Sequence, residues 1–358
     1  MYLIHKRAGE SLITLKEIAK MSGVTVSTVS NVLNGKPNVG SKTRDKIMKI
    51  VEETGYQPNF FAQGIRKIKT RTWGIVVEDL LQIGTVPIVE SIMAYAQEKD
   101  YRVVLMNMRL YERWKDDWYG DHERLSEVSK PTIQQLLSIK VDGIIYVAGH
   151  CRHIDFLPTN LTIPMIVVYG LSTVSKIPSV ILDDEMVGYN TTNYILQRGH
   201  KRIGVLAGGK DNLHTIVRLS GYQKALDEAG MIYQEELISY SDWSREGGYA
   251  TAKEMIEKKV SCIFCLNDRM AIGVYDYFYD EGMVVGDQIS IVGCDNFNEG
   301  NCLRPRLTST DLDFKQVGTT AAEWMVNILE DDSLIENSES VKKVSGKLVI
   351  RDSVSVAK

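Results

Sequence analysis

"TLKEIAKMSGVTVSTVSNVLNG", residues 14–35, decides how the N-terminal end of this chain folds. Thr14 stands three residues ahead of Glu17, so its hydroxyl can take the N–H of residue 17 while the carboxylate reaches back. That capping box starts a helix at Leu15, with Leu15, Ile18 and Ala19 on one face and Gly23 closing it. Thr25 caps a second short helix whose buried stripe is Val29, Val32 and Leu33, and Asn34-Gly35 ends it because both residues tolerate the left-handed conformation. A third helix over 41–54 buries Ile47, Ile50 and Val51 ahead of Gly55. Two short helices joined by a tight glycine turn and braced by a third form a helix-turn-helix unit.

Working outward, the charge is uneven. Residues 1–71 carry 13 Lys/Arg against 5 Asp/Glu, a net of +8, out of 42 and 46 in the 358-residue chain. Residues 72–358 therefore carry 29 against 41, a net of −12. A basic head on an acidic body points to a polyanion partner for the head alone. After Pro58, residues 62–67 can form one or two turns, too short to stand alone in water. From Trp73 the rhythm becomes strand, loop, helix: "TWGIVVED", "YRVVLMNM", "VDGIIYVAG", "IPMIVVYG", "PSVILDD", "RIGVLAGG", "SCIFCLN" and "ISIVGCDN" are continuous apolar strands. Such strands alternating with helices mean parallel sheets covered on both faces. There are too many for one sheet, so the expected fold class is α/β: an all-α head followed by two Rossmann-like lobes with a cleft between them.

Several function classes have little support. Cys151, Cys262, Cys265, Cys294 and Cys302 offer one C-x-x-C pair, inside an apolar strand, and no second pair to complete a zinc site. No metal and no cofactor is expected. "AGGKDN" lacks the Lys-Ser/Thr of a P-loop, no GxGxxG follows the first strand, and the six histidines form no triad, so the chain is not expected to be an enzyme. No apolar run reaches membrane-span length, and "MYLIHKRAGESLI" holds no targeting core. A cytoplasmic protein is the expectation.

The head motifs "TLKEIAKMSGVTVSTVSNVLNG", "VGSKTRDKI" and "GYQPN" occur in order with four body motifs. These are "ILDDEMVGYNTTNYILQRGHKRIGVLAGG", "VRLSGYQKALDEAG", "CLNDRMAIGVYDYFYDEGMVVGDQISIVGCDN" and "RPRLTSTDLDFKQVG". Together they resemble the LacI family of bacterial transcription regulators, the lactose repressor, purine repressor and catabolite control protein group, over nearly everything after residue 13. The resemblance implies an N-terminal extension (1–13), a DNA-binding domain (14–59), a hinge helix or linker (60–71) and an effector-binding and dimerisation body (72–358) like the periplasmic sugar-binding proteins. Its lobes would be about 72–181 plus 312–341, and 182–311 plus 342–358.

By position in the family motif, Val26, Ser27 and Asn31 would read bases: Val26 against a thymine methyl, Asn31 bidentate to adenine where many members carry Arg. Thr25, Thr28 and Ser30 are expected as phosphate contacts or caps. Thr14, Asn34, Tyr56 and Asn59 complete the DNA set. Ala62 and Ile65 fall on the hinge, Ile65 as a wedge into the minor groove, with Gly64 making that hinge costlier to fold. In the cleft, Arg218 and Asp295 would hydrogen-bond a polyol or carboxylate, Asn267 would add an amide, and Trp243 would stack on a sugar ring. Asp183 is a further candidate. The plainer account of Arg218 and Asp295 is an ion pair with each other, and of Trp243 a core aromatic. The stretch 109–131, "RLYERWKDDWYGDHERLSEVSKP", reads as a solvated charged loop whose two Trp and two Tyr could form a lip over the cleft or a partner surface.

The implied function is a transcription regulator, a repressor, acting as a homodimer on palindromic double-stranded operator DNA under a small effector, a sugar. Control by a protein co-regulator or a nucleobase is the alternative. A solute-binding protein would explain the body but not the basic head. The tail "SGKLVIRDSVSVAK" carries no heptad repeat, which argues for a dimer over a tethered tetramer.

Overall fold

The computed structural model describes residues 13–33, 35–56, 69–115, 120–331 and 340–357. They belong to two units, one ending at Thr70 and one running from Arg71. Asn34, Asn59, Ala62 and Ile65, together with the extension before Ile13, lie outside the described residues.

In the first unit, α1 (Leu15–Ser22) opens with the capping box: the Glu17 N–H donates to the Thr14 hydroxyl, and the Thr14 N–H donates to Glu17 Oε2 at 2.6 Å. Gly23 ends it at φ 67°, left-handed backbone that favours glycine. Next come α2 (Val26–Leu33) and α3 (Ser41–Thr54). Ile18, Ala19, Val29, Val32 and Ile47 are buried together, one or two from each helix, with Leu33, Ile50 and Val51 packed around them. Arg44 on α3 donates to the Lys36 carbonyl at 2.6 Å, tying the turn after α2 to the third helix.

The second unit holds two six-stranded sheets. The first contains β1 (Thr72–Val77), β2 (Arg102–Asn107), β3 (Gly143–Val147), β5 (Met165–Val168), β7 (Ser179–Leu182) and β13 (Val341–Val344), ordered β13-β7-β5-β3-β1-β2 and wholly parallel. A short pair, β4 (His153–Ile154) and β6 (Leu171–Ser172), lies beside it. Alternate residues serve opposite faces. Ile75, Val77, Ile145 and Val147 pack with α4 (Thr85–Glu98) and α12 (Phe314–Glu330), whereas Val76, Ile144 and Tyr146 pack with α6 (His122–Ser138).

The second sheet contains β8 (Ile203–Ala207), β9 (Ile238–Tyr240), β10 (Cys262–Cys265), β11 (Ser290–Asp295), β12 (Thr308–Asp311) and β14 (Lys347–Val349). Its order is β14-β12-β11-β10-β8-β9, parallel except for β14. Two helix pairs cover it: α7 (Asp184–Gln197) with α8 (Leu213–Glu228), and α9 (Arg245–Glu257) with α10 (Asp268–Asp280). A five-residue α11 (Asn298–Cys302) follows β11. Cys262 and Cys265 lie fully buried in β10, where burial pushes both thiols up.

Two expectations need correction. The chain passes from the first sheet to the second after β13, not at 341, because Val341–Val344 pairs in register with Ser179–Leu182 and buries Val344 in the first core. The return crossing passes Gly346, where a Cβ would stand 2.7 Å from the Asp311 carbonyl oxygen. The charged stretch 109–131, expected as a solvated loop, is helical over most of its described residues: α5 (Leu110–Trp114) precedes α6, which starts at His122 and carries Pro131 inside it. Asp121 caps α6 by accepting from the Arg124 N–H, and Leu125, Ser129, Ile133 and Leu136 form one buried stripe across the proline.

Candidate ligand cleft and nucleic-acid interface

The carboxyl ends of the two sets of parallel strands meet, the position where open α/β sheets place their ligands. Arg218, on α8, is 3% exposed there. Its Nε donates to Asp184 Oδ1 at 2.7 Å and its Nη1 to the Leu266 carbonyl at 2.5 Å. The other Asp184 oxygen pairs with His214 Nδ1 at 2.7 Å. From the opposite lobe the Cys151 N–H donates to His214 Nε2 at 3.2 Å, and the Tyr169 ring lies 5.2 Å from the imidazole. Burial alone would raise the Asp184 carboxyl, but His214 and Arg218 outweigh it and hold it down at about 2. Burial opposes the Arg218 charge too, and the surrounding Cys294, Asp184 and Asp295 more than restore it.

The plainer account of Arg218, an ion pair with Asp295, is not the pairing formed: its carboxylate partner is Asp184. Asp295 ends β11 at φ 119°, strained backbone for a non-glycine, and its Oδ2 accepts from the Asp268 N–H at 3.4 Å. Asp268 is fully buried; it accepts from the Ser309 hydroxyl at 2.6 Å and the Phe297 N–H at 2.8 Å. Burial, then the neighbouring Asp268 carboxylate, push Asp295 well above the usual carboxylate range, with Arg218 pulling the other way.

Asn267 and Trp243 form one unit. Asn267 caps α10 by accepting from the Met270 N–H at 2.8 Å, and its Nδ2 donates to the Trp243 carbonyl at 2.9 Å. The indole lies on Gly208, where a Cβ would stand 1.8 Å from the ring. Trp243 is half-buried at φ 66°, held by backbone and packing in a fixed orientation. Asp183 is the cap of α7, accepting from the Met186 N–H at 3.4 Å, and the chemistry falls to its neighbour Asp184.

Sequence reasoning missed Asp184, His214, Tyr169 and a second buried ion pair in the first lobe. There Glu78 takes both guanidinium nitrogens of Arg152 at 2.6 and 2.9 Å, the Tyr146 hydroxyl at 2.7 Å and the Gly149 N–H at 2.6 Å. One signal was available: His214 and Arg218 are four residues apart, on one face of a helix. Among the described residues no cluster of three His, Cys, Asp or Glu is placed to hold a metal.

On the head, burial of Val29 and Val32 turns the opposite side of α2 outward. Ser27 is exposed and Asn31 and Ser30 half-buried, whereas Val26 packs partly against the head core. Thr25 Oγ1 lies 2.8 Å from both the Ser27 and Thr28 hydroxyls and accepts from the Thr28 N–H, a cap with hydroxyls to spare. Thr14 is engaged by Glu17, its hydroxyl donating at 2.9 Å. Tyr56 packs against the head core, and that burial raises its phenol.

Comparison with known proteins matches residues 14–59 to a family of bacterial regulatory proteins, the lacI family, and residues 192–354 to a periplasmic binding protein-like domain. Catabolite control protein A of Priestia megaterium is 27% identical over 90% of this chain and 94% of its own length. The HTH-type transcriptional repressor PurR of Vibrio atlanticus is 27% identical over 95% of this chain and 98% of its own. Among solved structures, the lac repressor dimer bound to operator and the anti-inducer ONPF shares the fold. Its TM-score is 0.78 at 23% identity, covering 96% of this chain and all of that one. No helix among the described residues is long and apolar enough to cross a membrane.

Proposed function

This chain belongs to the lacI family of bacterial regulatory proteins, a DNA-binding transcription regulator with an effector domain, and on that premise we propose a cytoplasmic homodimeric repressor controlled by a sugar. The observation that carries the effector half is the buried Arg218–Asp184–His214 chain, with Asn267 tied to the Trp243 carbonyl and Asp295 to the Asp268 N–H at the ends of β10 and β11. The indole face of Trp243 suits the C–H face of a sugar ring. Arg218 offers its remaining N–H groups, and Asp295, whose carboxyl burial and then Asp268 push upward, offers its carboxyl oxygens. Nothing in this set is a nucleophile paired with a base; the cleft binds.

On the head, Ser27 and Asn31 face outward and read base edges, Asn31 with adenine. Thr25, Thr28 and Ser30 position the helix on phosphates. The effector biases lobe closure, which changes whether the paired hinges fold on a palindromic operator, a two-site coupling of about 1–3 kcal/mol. A thermal-shift screen against sugars, sugar phosphates and nucleobases tests this. A sugar at 100 times its dissociation constant stabilises the body by about 2.7 kcal/mol, and the shift disappears in Arg218→Ala and Asp295→Ala. A panel that shifts nothing overturns the sugar reading in favour of a protein co-regulator.

A further inference from the structure

We infer that His214 is a positioning residue for the cleft, a bridge between the lobes that makes their closure sensitive to protons. The inference rests on the reading of the crevice as the effector site and adds to it the device that sets its closure.

The bridge is a continuous chain of hydrogen bonds. Glu78, at the end of β1, fixes the loop after β3 through the Gly149 N–H and the Arg152 guanidinium. That loop presents the Cys151 N–H to His214 Nε2. His214 passes the link through Nδ1 to Asp184, and Asp184 to Arg218, which ends on the Leu266 carbonyl after β10. His214 is 6% exposed and Asp184 5%, so water does not share these bonds.

The partners dictate the proton. A backbone N–H only donates, so Nε2 must carry a lone pair, and the Nδ1 proton must then lie toward Asp184. The closed arrangement admits one neutral tautomer. A second proton on Nε2 would set two donors against each other at 3.2 Å and remove the contact between lobes. The other charged or titratable groups around the ring are Arg218 on its own helix, Asp184 from α7, His150, Cys151 and Arg152 from the loop after β3, and Tyr169 from the end of β5. Imidazole is the side chain that changes charge between about pH 5 and 8. Closure therefore excludes one proton, so acid favours the parted lobes and alkali the closed ones.

Two measurements on the full chain without a ligand test this, so their failure is separable from failure of the effector reading. Long-range nitrogen–carbon spectra of histidine-labelled protein at pH 8 should show an Nδ1–H tautomer that disappears in His214→Gln. An Nε2–H tautomer at that residue overturns the bridge. Hydrogen exchange of the peptide carrying Cys151, corrected for the intrinsic effect of pH, should lose protection as pH falls from 8 to 5.5. In His214→Gln, whose amide does not titrate, that protection should be flat with pH. Equal protection at pH 8 and 5.5 in the unmodified chain, or the same loss in His214→Gln, refutes the proton sensitivity. If the variant does not fold, the tautomer and the exchange profile of the unmodified chain still decide.

Discussion

Asp184 shows what a single residue settles. It is the shared acceptor of Arg218 and His214, 5% exposed, and removing it strands a buried guanidinium. Asp184→Ala should cost about 3–5 kcal/mol by chemical denaturation at pH 7. Its carboxyl is held at about 2 in the folded chain against 3.8 ordinarily. A depressed acid stabilises above its unfolded value, so about 2 kcal/mol is fully present above about pH 4 and is lost as pH falls toward 2. Asp184→Ala should flatten that part of the stability–pH curve; an unchanged slope would show that another carboxylate supplies it. Arg218 was singled out from the sequence as a cleft candidate. Asp184 was not, because the phase of α7 decides which of two adjacent aspartates caps the helix and which turns inward.

At the scale of elements, two glycines bring that pair together. A Cβ on Gly188 would lie 2.0 Å from the Arg218 carbonyl oxygen, and one on Gly221 2.0 Å from that of Glu185. The α7 and α8 backbones thus touch at the turn where Asp184 meets Arg218. Backbone cannot rotate away, so Gly221→Ala must part the helices; it should cost about 1–3 kcal/mol or more and weaken any cleft ligand alongside. Gly143→Ala is the control. Its nearest neighbour, at 2.5 Å, is the flexible Met325 thioether, so it should cost less. Equal losses would mean that the helix contact is adaptable. Capped or strongly periodic elements were legible: α1 starts and stops where its caps place it, and α3 stops at Gly55. The helix through Pro131 was not, since the proline reads locally as a start and only the core makes the preceding turns worth forming.

For the whole molecule, charge separates the tasks. The head's net +8 is what a phosphate backbone meets, so operator affinity should fall by orders of magnitude between about 50 and 200 mM salt. Asn31→Ala should relax preference at one base pair by about 1–3 kcal/mol and leave the salt slope unchanged, because base edges and phosphates are separate contacts. Competition binding across operator variants at two salt concentrations measures both. A loss that is uniform across sequences would make Asn31 a phosphate contact or a solvent-facing residue.

The sequence by itself determined what is decided within a few residues or by a repeating pattern. The capping box reaches three positions, the glycine stops act on their own turns, and apolar strands alternating with helices announce parallel sheets. Only the tertiary structure decided the partners across the cleft. Arg218 and Asp184 are 34 residues apart, Cys151 and His214 63, and β13 joins the first sheet after the chain has already crossed twice. Those pairings depend on burial and direction, and a side chain acquires both only when the sheets that carry it have closed around it.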